Sequence, residues 1–203
     1  MSDQRRPYRM KRRAELEAET RRRITESTIA LHQELGPART SISAIAEHAG
    51  VRRSTVYRHF PDEEALYVAC TSQWRAANPP PDARAWDSIH DPAERTKAAL
   101  RELYAFYRRT QDMYVSLLRD EPVVPIVRRH LSVFHDYLRT IEDALMSGRR
   151  LRGRAARRTR AAIGHAVAFS TWRSLTYEQR LQDDDAVALM CLLIERSRAD
   201  PAT

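Results

Sequence analysis

The chain is poor in the residues that mark many enzymes, secreted proteins and membrane proteins. It has five glycines in 203 residues, and no Gly-rich phosphate loop or nucleophile elbow can be read in it. Its two cysteines, Cys70 and Cys191, lie far apart in sequence and give no disulfide framework, which suits a reducing cytosol. Both sit in helical apolar patterns and read as core thiols, with a redox switch as the alternative. No apolar run reaches the ~20 residues that a membrane span needs, and no hydrophobic stretch follows the Arg-rich start to make a secretory signal. No period-two alternation is found either, which excludes an amphipathic sheet. His130 and His135 are five apart, on different faces of a helix, and no Cys or acid completes a metal set with them. The expectation is an all-α, cytoplasmic, non-enzymatic protein with no cofactor and no metal. Lysine is nearly absent too: of 35 basic residues only Lys11 and Lys97 are lysines, a bias that reads as a GC-rich genome more than as selection for Arg chemistry.

The sequence does contain charge and helical periodicity. A formal net charge of +8 and a pI near 10 suit a polyanionic partner, although a solvated surface explains such a balance equally well. Residues 1–13 carry six basic residues against one Asp and no apolar periodicity, and read as a disordered basic arm. A first helix is predicted over 14–35, with Ile24, Thr28, Leu31 and Leu35 on its inner stripe and Gly36-Pro37 ending it. After Pro61-Asp62 an acidic start opens a helix to about Ala77. Asn78-Pro79-Pro80-Pro81 cannot continue a helix, so 78–91 reads as a linker. Helices then follow at about 92–110, 111–120, 126–147, 155–178 and 184–198. Seven arginines between Arg149 and Arg160, with no acid among them, read as a solvated loop and helix start, or as a patch for an acidic partner.

Residues 40–66 are the most informative stretch. Ile42, Ile45, Ala46 and Ala49 share one helical face, and the small Ala46 and Ala49 admit a close second helix. Gly50 supplies the positive φ of a sharp stop, and Val51 plugs the angle. The second helix buries Val56 and Phe60 and leaves Arg53, Ser54, Thr55, Tyr57 and Arg58 free or partly free. This is a helix-turn-helix. The run Thr40-Ser41-Ile42, Ile45-Ala46, Ala49-Gly50-Val51, Ser54-Thr55-Val56-Tyr57-Arg58-His59-Phe60 and Leu66 resembles the DNA-binding signature of TetR-type transcriptional regulators over roughly residues 24–70.

The resemblance implies three regions: a 1–13 arm, a 14–77 DNA-binding domain with connecting helix, and a 78–203 helical domain for effector binding and dimerisation. It implies double-stranded DNA with a palindromic operator as partner, and Thr40, Ser43, Arg52, Arg53, Ser54, Thr55, Tyr57, Arg58 and His59 as contacts. Arg53 is placed either to bond guanine O6 and N7 or to meet a phosphate. Tyr57, His59 and Thr40 match positions that bond phosphates. Two departures stand out: Arg52 occurs where a capping Ser is frequent, and Glu63 where a phosphate-binding Lys is common. In the C-terminal half, Tyr104, Tyr107, Met113, Leu117, Phe134, Tyr137, His165, Phe169 and Trp172 are candidate walls for a small apolar or aromatic effector, with core packing as the alternative for each. The last two helices, with Ile163, Val167, Trp172, Val187, Met190, Cys191 and Ile194, are expected to pair two subunits, or else to be buried within one. The implied function is a repressor released from its operator by an effector. The alternative is a DNA-binding protein of the same fold that answers to a protein partner or acts architecturally.

Overall fold

A computed structural model describes residues 5–198, and no strand occurs among them. Nine α-helices are used below: α1 (Arg5–Glu34), α2 (Ile42–His48), α3 (Arg53–His59), α4 (Glu63–Ala77), α5 (Pro92–Asp120), α6 (Pro125–Met146), α7 (Gly153–Val167), α8 (Phe169–Arg173) and α9 (Asp183–Arg196). The chain divides into two compact units. One runs up to Pro79 and takes in Val115–Arg128; the other comprises Pro80–Tyr114 and the residues from Arg129 onward.

In the first unit, Ile24 and Leu31 of α1 pack with Ile42, Ile45 and Ala46 of α2, Val56 and Phe60 around α3, and Leu66 of α4. Each lies on the stripe that its helical spacing dictates. Ser41 caps α2, its Oγ accepting from Ala44 N at 3.1 Å, and Asp62 caps α4, its Oδ1 accepting from Ala65 N at 2.7 Å. Gly36 has φ +85°, and a Cβ there would collide with the Arg119 and Asp120 side chains. Those two residues clasp the turn after α1: Asp120 Oδ2 accepts from Ala38 N at 2.9 Å, and Arg119 Nη2 donates to Leu35 O at 2.7 Å. Ser116 Oγ adds a bond to Gln33 O at 3.2 Å. His32 is buried between α1 and α4, with its ring 5.7 Å from that of Tyr67 and Nδ1 3.9 Å from Cys70 Sγ.

In the second unit the largest buried side chains come from α5, α6, α7 and α8, with Trp86 from a 3₁₀ turn at Ala83–Ser88. Arg149 is buried, donating to Glu195 Oε1 at 2.8 Å, Thr96 Oγ1 at 2.7 Å and Leu145 O at 2.8 Å, and so ties α5, α6 and α9 together. Arg95 acts similarly, donating to Ile89 O, Ala144 O and Ser147 O.

Several expectations are corrected. The segment expected as a disordered arm is helical from Arg5, because Arg, Lys, Met, Ala and Glu are strong helix formers and Arg13 pairs with Glu17 one turn on; Met1–Gln4 lie outside the described residues. The expected break near Thr110 does not occur, since after Pro92, at the helix start, the segment to Asp120 holds one uninterrupted apolar stripe and no further Pro or Gly. The expected helix 155–178 is interrupted at Ala168, which adopts an extended conformation, and continues as α8 and a π-helical turn at Ser174–Glu178. The arginine run is not one solvated loop: Arg149 is buried and Arg160 pairs with Asp143, while Arg150, Arg152, Arg154 and Arg157 are exposed.

Candidate nucleic-acid interface

α3 is a seven-residue helix with two unlike sides. Val56 and the following Phe60 are both 1% exposed and anchor it in the core. Arg53, Ser54, Tyr57 and Arg58, at spacings of one and four, form the opposite, exposed side. The preceding turn sets its angle. Gly50 has φ +63° with open space about it, its N bonds Glu47 O, and Val51 N bonds Ala46 O at 2.9 Å. That closure ends α2 within one residue and sends the chain off for α3.

Arg52 stands at the N-cap of α3 without a side-chain capping bond, so its guanidinium is not occupied by the helix start. Arg53 lies over the Tyr57 ring, 5.6 Å from its centroid, and Nη2 donates to Tyr57 Oη at 3.3 Å. The Tyr57 hydroxyl, and to a lesser extent the Glu63 carboxylate, raise the Arg53 pKa further above its ordinary value. Glu63 thus lies close enough to Arg53 for its charge to be felt there. Ser43 is exposed in the first turn of α2, and Thr55 is half-buried. Thr40 is half-buried with its hydroxyl donating to Gly36 O at 2.8 Å. His59 Nε2 is buried and has no hydrogen-bond partner, so that nitrogen is not at the surface. Burial, with Arg58 and Arg21 nearby, lowers the His59 pKa.

Arg21 is a contributor that the sequence pattern does not single out. Its Nη1 donates to His59 O at 2.6 Å and its guanidinium lies 4.1 Å above the Phe60 ring, holding the C-terminal end of α3 against α1. The only hint is its position one turn before Ile24 on the inner stripe.

The residues expected to wall an effector site do not all come together. In the second unit Tyr107 is the hub of a ring cluster, with centroids 5.2 Å from Phe169, 5.8 Å from Trp172, 6.4 Å from Phe134 and 6.3 Å from Tyr104. Tyr114 lies 4.4 Å from Phe134, and Phe106, unremarked in the sequence pattern, joins the cluster 6.0 Å from Tyr107. Met113 is buried, and half-buried Tyr137 donates to Pro81 O at 2.8 Å. Two residues depart. Leu117 belongs to the first unit, because α5 runs on past the cluster. His165 is exposed, with Nδ1 3.3 Å from Thr171 Oγ1 across the interruption at Ala168. That interruption also frees carbonyls from the helical ladder. Tyr107 Oη donates to Val167 O at 2.5 Å and Tyr104 Oη to Ala166 O at 2.9 Å. Desolvation raises the pKa of both phenols.

Among the residues expected to pair subunits, Ile163, Val167, Trp172, Val187, Met190 and Ile194 are buried within the single chain. The apolar residues left outside are Leu189, Leu192 and Leu193, which share one face of α9 and are 42%, 55% and 41% exposed.

Residues 24–70 match the family model described as bacterial regulatory proteins, tetR family. No curated protein matches the chain significantly. Among solved structures, a TetR-like transcriptional regulator from a Rhodococcus species superposes with TM-score 0.61 at 16% identity, covering 87% of this chain and 94% of its own. A putative fatty acid metabolism regulator from Clostridium perfringens gives TM-score 0.62 at 15% identity, covering 88% and 100%. NalD of Pseudomonas aeruginosa, secondary repressor of the MexAB-OprM multidrug efflux pump, gives TM-score 0.56 at 18% identity, covering 89% and 96%. With a helix-turn-helix built as described, residues 24–70 match the tetR family model, and over most of its length the chain shares the fold of TetR-type regulators.

Proposed function

We propose that the protein is a homodimeric repressor that binds a palindromic operator through α3 and releases it on binding a small apolar or aromatic effector. The observation that carries the DNA-binding half is the two-sided character of α3: one side is locked by Val56 and Phe60, and the other presents Arg53, Ser54, Tyr57 and Arg58. In this reading Arg53 and Ser54, at the start of the helix, meet base edges; Tyr57 and Arg58, with Arg52, meet phosphates. Ser43 and Thr55 add contacts, while the hydroxyl of Thr40 and the outward side of His59 act from the rim.

The effector half is supported by α5. Tyr104, Tyr107 and Tyr114 of this one helix belong to the aromatic cluster, and its Ser116 bonds the end of α1 while its Arg119 and Asp120 bond the turn that leads into α2. A ligand that reorganises Tyr107, Phe134, Phe169 and Trp172 thereby acts on the helix that also holds the headpiece's first turn. Leu189, Leu192 and Leu193 are the proposed pairing face, since a helix apolar on both sides is one that is covered on both.

Footprinting on the DNA upstream of its own coding sequence tests the reading. A protected two-fold symmetric site, lost on adding a compound that raises the protein's melting temperature, is the expected result. A stabilising compound that leaves protection intact rejects the effector role, and absence of any protected site rejects local operator binding.

A further inference from the structure

We infer that Asp185 and Arg196 are specificity residues of the α9 face: they select a second copy of this chain, set end for end, by pairing with each other's counterpart across a two-fold axis. The inference rests on the proposed reading of Leu189, Leu192 and Leu193 as the pairing face. At about 100° per residue, Asp185, Leu189, Leu192 and Arg196 fall on one stripe roughly 60° wide. That stripe lies on the side of α9 away from its buried Ala186, Val187, Met190 and Ile194, and all four of its residues are exposed. It has an acid at one end, leucine in the middle and a base at the other end. Of the five charged side chains of α9, three are engaged within the chain. Asp183 pairs with Arg108 at 2.6 Å and accepts from Trp172 Nε1 at 3.1 Å. Asp184 pairs with Arg101 at 3.2 Å, and Glu195 with Arg149 at 2.8 Å and Arg198 at 2.6 Å. Asp185 and Arg196, the two on the leucine stripe, have no partner among the described residues.

Symmetry supplies the register. Leu189 and Leu192 lie equally far on either side of the midpoint between residues 190 and 191, and so do Asp185 and Arg196. Turning a second α9 end for end about that midpoint sets Leu189 against the partner's Leu192 and Asp185 against the partner's Arg196. The same operation sets Arg196 against the partner's Asp185, as a closed two-fold interface requires. One register thus serves the leucines and the charges together, with an ion pair ~8 Å to either side of the axis. Parallel pairing in register brings like charges together at both ends, which opposes it. A different chain with a leucine face but other end charges is disfavoured in the same way. The dipole of α9 favours an acid at its start and a base at its end, but it does not require either to lie on the leucine stripe.

The test is sedimentation velocity of the full chain at low salt, where such pairs are least screened. Asp185→Arg and Arg196→Asp should each weaken the homodimer about tenfold or more, because each variant replaces two ion pairs by two like-charge contacts. Mixed in equal amounts, the two variants should recover wild-type pairing as a heterodimer, since both contacts are then opposite in sign again. Asp185→Arg/Arg196→Asp should recover it with itself. Circular dichroism checks that each variant keeps its helix content. Single variants that are weakened but do not recover on mixing overturn the inference, and leave the dipole of α9 as the role of the two charges. Single variants that pair as tightly as the wild type overturn it too, and a mixture tighter than the wild type then assigns a parallel arrangement. A wild-type chain that stays monomeric rejects the pairing reading and this inference with it, an outcome distinct from a dimer that ignores these charges.

Discussion

Burial between α1 and α4 lowers the His32 imidazole to about 4, while the Asp120 carboxylate pulls weakly the other way. An unfolded chain titrates its histidines near 6.5, so above that pH neither state carries the charge and His32 has no effect. Below it the unfolded state takes a proton that the folded state refuses. Stability is then lost progressively between about 6.5 and 4, by at most about 3 kcal/mol. His32→Gln, which cannot titrate, should show a shallower fall of melting temperature between pH 7 and pH 4.5 than the wild type. Equal slopes in the two proteins would contradict this assignment. Residues such as Ile24, Val56 and Phe60 were legible in the sequence because helical spacing alone places them inward. Arg149 was not: its burial depends on Glu195, 46 residues away, and on Thr96, 53 residues away, pairings that no local pattern records.

At the scale of elements, the caps and breaks decide what the helices present. Ser41→Ala should destabilise the first unit by about 1 kcal/mol, read as a shift in the denaturation midpoint, because only its Oγ accepts from Ala44 N. The acidic start of α4 stabilises that helix through its dipole, and in the proposed complex its Glu63, near Arg53, opposes phosphate. Glu63→Lys should therefore bind DNA more tightly, with a salt slope steeper by about 1. No gain in titrations at two salt concentrations would place Glu63 away from the backbone. The helix-turn-helix could be read from residues 40–66 because its turn, caps and packing face are all local. The interruption at Ala168 could not, since neither Pro nor Gly marks it. The carbonyls it leaves are met by Tyr104 and Tyr107, about 60 residues earlier in the chain. The helical start of α1 is not legible for a different reason: exposed polar helix carries little apolar periodicity.

For the whole molecule, two headpieces held together gain affinity by effective concentration, so pairing and DNA binding are coupled. Leu189→Glu/Leu192→Glu should yield a monomer by light scattering, with intact helix content and much weaker operator binding; a persistent dimer would move the pairing face elsewhere. The central claim is that α3 is the reading head. Its most direct test is a titration of a labelled operator with the wild-type chain and with Arg53→Ala/Tyr57→Ala, both of whose changes lie on the exposed side of α3. The account predicts loss of specific binding in the variant, with its melting temperature nearly unchanged. Retention of wild-type affinity in a folded variant would contradict it.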